Sequence, residues 1–164
     1  MPLYDIEHVI PMTDEQQLAL ANALTKAHTA RFHTPSYFVN VRFTDVSNMK
    51  VYRSGRLVKY NRAILRTRQS ENRTSDILNQ HCQAVIECWE KTIGSGPEKG
   101  MHAVWILGAL SAGMEAGFAR PKVGEEHAWL AQHKAEFQQL ADQGNEDFAG
   151  LVKELAERED FKDI

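Results

Sequence analysis

The sequence predicts an α/β fold in which two βαβ units form a four-stranded mixed sheet with two helices on one face, followed by a C-terminal helical extension. Strand-like and helix-like stretches run in the order strand, helix, strand, and then repeat that order. Right-handed crossovers would place both helices on a common face of the sheet. The charge also changes sign along the chain. Residues 1–124 hold fifteen Lys/Arg against eleven Asp/Glu, net +4, whereas residues 125–164 hold four against eleven, net −7.

Leu3 to Val9 reads as a short strand ended by Pro11. Thr13 with Gln16 three positions on is a capping box, and Asp14 and Glu15 fall in the first turn, where the helix dipole favours acids. Leu20, Leu24, Ala27 and Arg31 recur at helical spacing with His28 at the edge of the stripe, and Pro35 marks the exit. Tyr37, Val39, Val41 and Phe43 alternate with Phe38, Asn40, Arg42 and Thr44, the period of a strand.

Gly55 turns a short basic hairpin, after which Ala63 to Thr67 makes a third strand with Arg62, Arg66 and Arg68 on one cationic parity. Asn72, Thr74 or Ser75 caps a second helix whose stripe is Ile77, His81, Ala84, Val85 and Cys88, stopped by Gly94, Gly96 and Pro97. His102 to Leu110 is apolar almost throughout, which predicts a strand buried on both faces, deep in the sheet. In the tail, Leu130, His133, Phe137, Leu140 and Ala141 form one face. Gly144 closes that helix, and Asn145 opens another with Phe148, Leu151, Val152, Leu155 and Ala156. Such stripes should dock on the body or on a neighbouring subunit.

At 164 residues, 43% hydrophobic and 25% charged, the chain can bury a core without disulfides or metals and is not a disordered or low-complexity protein. No apolar run approaches the ~20 residues of a bilayer span, and Asp5 and Glu7 stand where a signal peptide would be apolar. The reading is a cytoplasmic protein. Cys82 and Cys88 fall on different faces of their helix, as free buried thiols would in a reducing compartment. No two of the seven histidines share the i, i+4 spacing of a helical metal site, so no metal is expected. Lys50 to Arg73 carries eight cations against the single acid Glu71, a stretch fit for an anionic small molecule, for nucleic acid or for the acidic tail. A net charge of −3 and the lack of a binding motif argue against nucleic acid.

Removal of Met1 would leave Pro2 as a secondary amine at the start of a strand, a group able to act as acid, base or nucleophile. Around it, four segments occur in order: Pro2-Leu3-Tyr4, Ala27-His28, Asn72-Arg73-Thr74-Ser75-Asp76, and Glu115-Ala116-Gly117-Phe118-Ala119-Arg120-Pro121. The set resembles the tautomerase superfamily, in the branch similar to cis-3-chloroacrylic acid dehalogenase. The resemblance spans a core of residues 2–122 within a single domain and leaves the acidic tail, 123–164, outside it.

What the resemblance implies is a tautomerase fold, a homotrimer, no cofactor, and a small anionic carboxylate as substrate. Pro2 and Glu115 take the catalytic positions, as proton carrier and as water-activating or enolising carboxylate. His28 and Arg73 take the substrate-binding positions. The family's second arginine falls on Ser70, leaving Arg68 as the candidate second cation, and its strand tyrosine falls on Ile106. The expected activity is proton transfer on a 2-keto or unsaturated carboxylate, with neither nucleic acid nor membrane as partner. The alternatives are a non-enzymatic trimeric binding protein of the same fold and a hydratase or dehalogenase acting on 3-haloacrylate-like acids.

Overall fold

In the computed structural model, which describes residues 2–108, 113–119 and 121–164, a central sheet is built as the two units require. The first unit is β1 (Leu3–His8), α1 (Asp14–Phe32) and β2 (Asn40–Asp45). A small hairpin follows, β3 (Val51–Arg53) and β4 (Arg56–Val58), turned at Ser54 and Gly55, both at positive φ as a tight primed turn needs. The second unit is β5 (Asn61–Arg66), α2 (Ser75–Thr92) and β6 (Met101–Leu107). The sheet order is β2-β1-β5-β6, parallel within each unit and antiparallel where β1 meets β5.

Local chemistry starts the helices where the sequence places them. The Thr13 hydroxyl accepts from the Gln16 backbone N–H (3.2 Å) while the Gln16 side chain accepts from the Thr13 N–H (3.0 Å), closing the capping box. Of the three cap candidates for α2, Thr74 serves. Both helices cover one face. Tyr4, Ile6, Ala63 and Leu65 from the sheet meet Leu20 and Leu24 of α1 and Val85 and Trp89 of α2 in a closed core. On α1 the buried line is Leu20, Leu24 and His28, so the histidine lies at the centre of the stripe and not at its edge.

Three further expectations change. The alternation from Tyr37 is not all strand: Pro35 leads into a 3-10 turn, Ser36–Phe38, and pairing begins at Asn40. The strand expected over His102 to Leu110 is paired over Met101–Leu107 and lies at the sheet edge, with Trp105 47% and Leu107 41% exposed; Ala109 and Leu110 are outside the described residues. Its apolar run therefore reflects a face the single chain leaves open. Finally, the parity carrying Arg62 and Arg66 is not a bare cationic face. Glu7 pairs with Arg62, and Asp5 with Arg42 and Arg66, across the strands.

A second short hairpin, β7 (Met114–Glu115) and β8 (Phe118–Ala119), leads to the tail helices α3 (Glu126–Asp142) and α4 (Glu146–Glu157). Asn145 caps α4 by accepting from the Asp147 and Phe148 N–H groups. The two helices make a second core of Leu130, Phe137, Phe148, Leu151, Leu155 and Phe161, and that core closes over Phe38 of the body. Ser36 donates to the Glu154 carboxylate, and Arg158 reaches the Thr34 carbonyl, fastening the tail to the link between α1 and β2. Among the described residues no helix is long and apolar enough to cross a membrane. Cys82 and Cys88 are free and half-buried.

Candidate active site

Pro2 is buried at the start of β1, where its carbonyl accepts from the Asn40 N–H at 3.0 Å. The antiparallel ladder between β1 and β5 ends at Leu3 opposite Arg66, the neighbours in sequence of Pro2 and Thr67. Thr67 is buried, and its hydroxyl accepts from Arg73 Nη1 at 2.8 Å. The same nitrogen donates to the Arg68 carbonyl (3.1 Å), and the guanidinium lies 4.6 Å over the Phe32 ring at the end of α1. Arg73 is thus held by two neutral oxygens and a ring face. No carboxylate among the described residues forms an ion pair with it, Asp76 on the next turn included. Burial and the neighbouring Arg68 pull its pKa down from the usual arginine value, yet a guanidinium in a protein stays charged.

Beneath this shelf lies a buried polar cluster. The Tyr4 hydroxyl stands 2.8 Å from His28 Nδ1 and 2.6 Å from His81 Nε2. Phe32 packs on both imidazoles, with ring centroids at 4.7 and 4.8 Å. Burial, with help from the other histidine and Arg73, drives the His28 pKa down to about 2. Burial, Arg31 and Arg73 bring that of His81 to about 4. Both rings are neutral near pH 7. One hydroxyl has one proton, so one histidine must donate to Tyr4 and the other must accept from it. His81 Nδ1 is buried with no partner among the described residues, and an unmet lone pair is better tolerated than an unmet N–H. That assigns the chain of donors as His81 Nε2–H to Tyr4, then Tyr4 O–H to His28 Nδ1.

Of the five residues singled out from sequence, Pro2, Arg73 and His28 therefore gather around the start of β1, though His28 is only 1% exposed and sits below the shelf. Arg68 is adjacent, but its guanidinium is engaged by the Pro121 carbonyl and, at 2.6 Å, by Glu126 at the first turn of α3. Glu115 comes from a separate element, β7, opposite Phe118 across a turn whose Ala116 and Gly117 both have positive φ. Phe118 anchors that hairpin on His133 and Phe137 of α3. Arg120 lies outside the described residues. Ser70 closes the turn into α2, its carbonyl accepting from the Arg73 N–H, and Ile106 packs on the first core.

Sequence reasoning missed Tyr4, His81 and Glu126. The first two had a signal, since a histidine inside the apolar stripe of α2 needs a buried partner; Glu126 had only the opposite charge of its segment. Among the described residues no group of three or more His, Cys, Asp and Glu is placed to hold a metal ion.

No curated protein matches the chain in sequence. Among solved structures, it is similar in fold to N1, a member of the cis-3-chloroacrylic acid dehalogenase (cis-CaaD) family. That likeness has 22% identity and a TM-score of 0.60, over 85% of this chain and 99% of that one. It is also similar to Pt0534 inactivated by 2-oxo-3-pentynoate (18% identity, TM-score 0.54, 71% and 94% of the two chains). A fused 4-OT described as a wild type symmetric trimer gives 15% identity and a TM-score of 0.53, over 71% of this chain and 94% of that one. A family model described as "Putative oxalocrotonate tautomerase enzyme" matches residues 1–134. That span takes in both βαβ units, the Glu115 hairpin and the start of α3, and with most of its length inside the match the chain belongs to this tautomerase family.

Proposed function

We propose that the protein is a cofactor-independent tautomerase that moves a proton on a small 2-keto or unsaturated carboxylate, with Pro2 as acid and base once Met1 is removed. The observation that carries this reading is Arg73, a half-buried guanidinium that among the described residues meets only neutral oxygens and a ring, and that is held by Thr67, the residue after the Arg66 that pairs with Leu3 beside Pro2. Its remaining N–H groups are suited to a carboxylate fork. A cation beside a secondary amine disfavours the ammonium form, which brings the amine toward the range where it can both take and give a proton.

For an enol such as phenylenolpyruvate, protonated Pro2 would deliver its proton to C3 while the enol hydroxyl loses one, and Glu115 would accept that proton directly or through water. His28 would contribute from beneath, holding Phe32 and so the guanidinium in place. We assign a homotrimer as the working assembly, because the open face at Trp105 and Leu107 wants a cover and a trimeric protein shares the fold. The free thiols fit a cytoplasmic setting.

The rival reading is a binding trimer whose site has decayed. It is favoured by the prior engagement of Arg68, which leaves one cation where dehalogenation or hydration of a 3-haloacrylate would draw on two. Turnover of phenylenolpyruvate decides between them. Protein whose intact mass shows loss of Met1 should ketonise it, and Pro2→Ala should lower kcat/KM by at least about 100-fold with an unchanged circular dichroism spectrum. An acetylenic 2-keto acid should form a covalent adduct on Pro2. Equal turnover by Pro2→Ala, or full activity in protein that keeps Met1, overturns the proposal.

A further inference from the structure

We infer that Glu126 sets the charge class of the substrate: by neutralising Arg68 it leaves one guanidinium in the site and so selects monocarboxylates over dicarboxylates. The inference rests on the proposed function above. Arg68 follows Thr67 and its backbone carbonyl accepts from Arg73 Nη1, so the Arg68 main chain borders the Arg73 guanidinium while its side chain runs to Glu126. Their charges are close enough that Arg68 depresses the pKa of Arg73 and Glu126 opposes that effect.

The Arg68–Glu126 pair is 2.6 Å long, with side chains only 12% and 19% exposed. Glu126 is further fixed by the Gly124 N–H on its other oxygen and by its place in the first turn of α3, where the helix dipole stabilises an ionised carboxylate. The remaining amino group of Arg68 donates to the Pro121 carbonyl. A dicarboxylate anchored on Arg73 would bring its second anion toward a cation already filled and toward the negative charge that fills it. A monocarboxylate meets neither difficulty. The body supplies both cations, and the tail withdraws one of them.

The experiment compares ketonisation of phenylenolpyruvate, a monocarboxylate, with that of the enol of oxaloacetate, a dicarboxylate. In Glu126→Gln, kcat/KM for the dicarboxylate should rise roughly tenfold, the worth of one charge-assisted contact, with KM carrying the change. The rate with the monocarboxylate should stay within about threefold. Glu126→Asp should keep the wild-type preference. Adding Arg68→Met to Glu126→Gln should cancel the gain, which a loosening of α3 alone would not do. A preference unmoved by Glu126→Gln in protein with a wild-type melting temperature overturns the inference, as does a gain that survives Arg68→Met. If Glu126→Gln unfolds, the double variant Arg68→Met with Glu126→Gln decides: with both charges gone, an unaltered preference supports the account, and a loss of dicarboxylate turnover overturns it. Wild-type protein that turns over neither acid removes the catalytic proposal and this inference together; wild-type turnover with an unmoved preference removes this inference alone.

Discussion

The two faces of β1 handle polar groups in opposite ways. Toward the helices it sends Tyr4, Ile6 and His8, all buried: Tyr4 is an uncharged hydrogen-bonding group between two neutral histidines, and His8 Nδ1 lies 2.8 Å from the Ile10 carbonyl. Toward the other face it sends Asp5 and Glu7, which are paired with arginines of β2 and β5. Burial pushes the Asp5 pKa up, but hydrogen bonds from Arg42, Arg66 and Thr44 outweigh it and leave the carboxyl below its usual range. The contrast follows from solvation. Under two helices a charge costs more than its partner returns, so neutral groups are kept; on a face with water nearby, pairs form at little cost.

The sharpest way to break this contrast is to remove one tryptophan from each face. Trp89 is fully buried and its indole N–H donates to the Lys99 carbonyl at 2.7 Å. Trp89→Ala should cost about 3–5 kcal/mol in urea unfolding. Trp105 lies under the Arg62 guanidinium at 4.5 Å and is half exposed in the single chain, so Trp105→Ala should cost about 1 kcal/mol in the same assay once the subunits are dissociated. Equal losses would mean the open face is as closed as the helical one.

Acid should act on the helical face first. His28 and His81 have folded pKa values near 2 and 4, below the unfolded value near 6.5, so the unfolded chain binds more protons and stability falls as pH drops below about 6.5. Between pH 7.5 and 5 the two together should cost ~2–4 kcal/mol, read from urea midpoints. The Asp5 contribution is present above the unfolded carboxyl value near 4 and is lost only below it. A stability flat down to pH 5 would place a charge, or water, in the cluster. The smallest effect belongs to the ion pairs. Glu7→Gln, which removes the charge from the group that accepts the 2.8 Å bond from Arg62 Nε, should cost about 0.5 kcal/mol and less in high salt.

Periodicity and caps made the element order, the sheet composition and both helix starts legible, because these depend on residues within a turn or two of each other. What the sequence hid depends on neighbours far along the chain. An apolar run at Trp105 and Leu107 says that a face needs covering; it does not say whether the cover is a helix or another molecule. Alternating Arg62 and Arg66 look like a cationic surface until register sets Glu7 and Asp5 beside them. At the site, Pro2, His28 and Arg73 were legible as a set, since a resemblance orders them. Glu126 was not, because only folding brings it to an arginine 58 residues away.

Phe38 and its neighbour Tyr37 belong to the link after α1, but the side chains that cover Phe38 come from the last quarter of the chain. Clipping the protein after residue 124 would strip that cover and bare aromatic rings beside a strand edge. A shortened version made for crystallisation should therefore come out of solution more readily than the whole, even with its sheet intact.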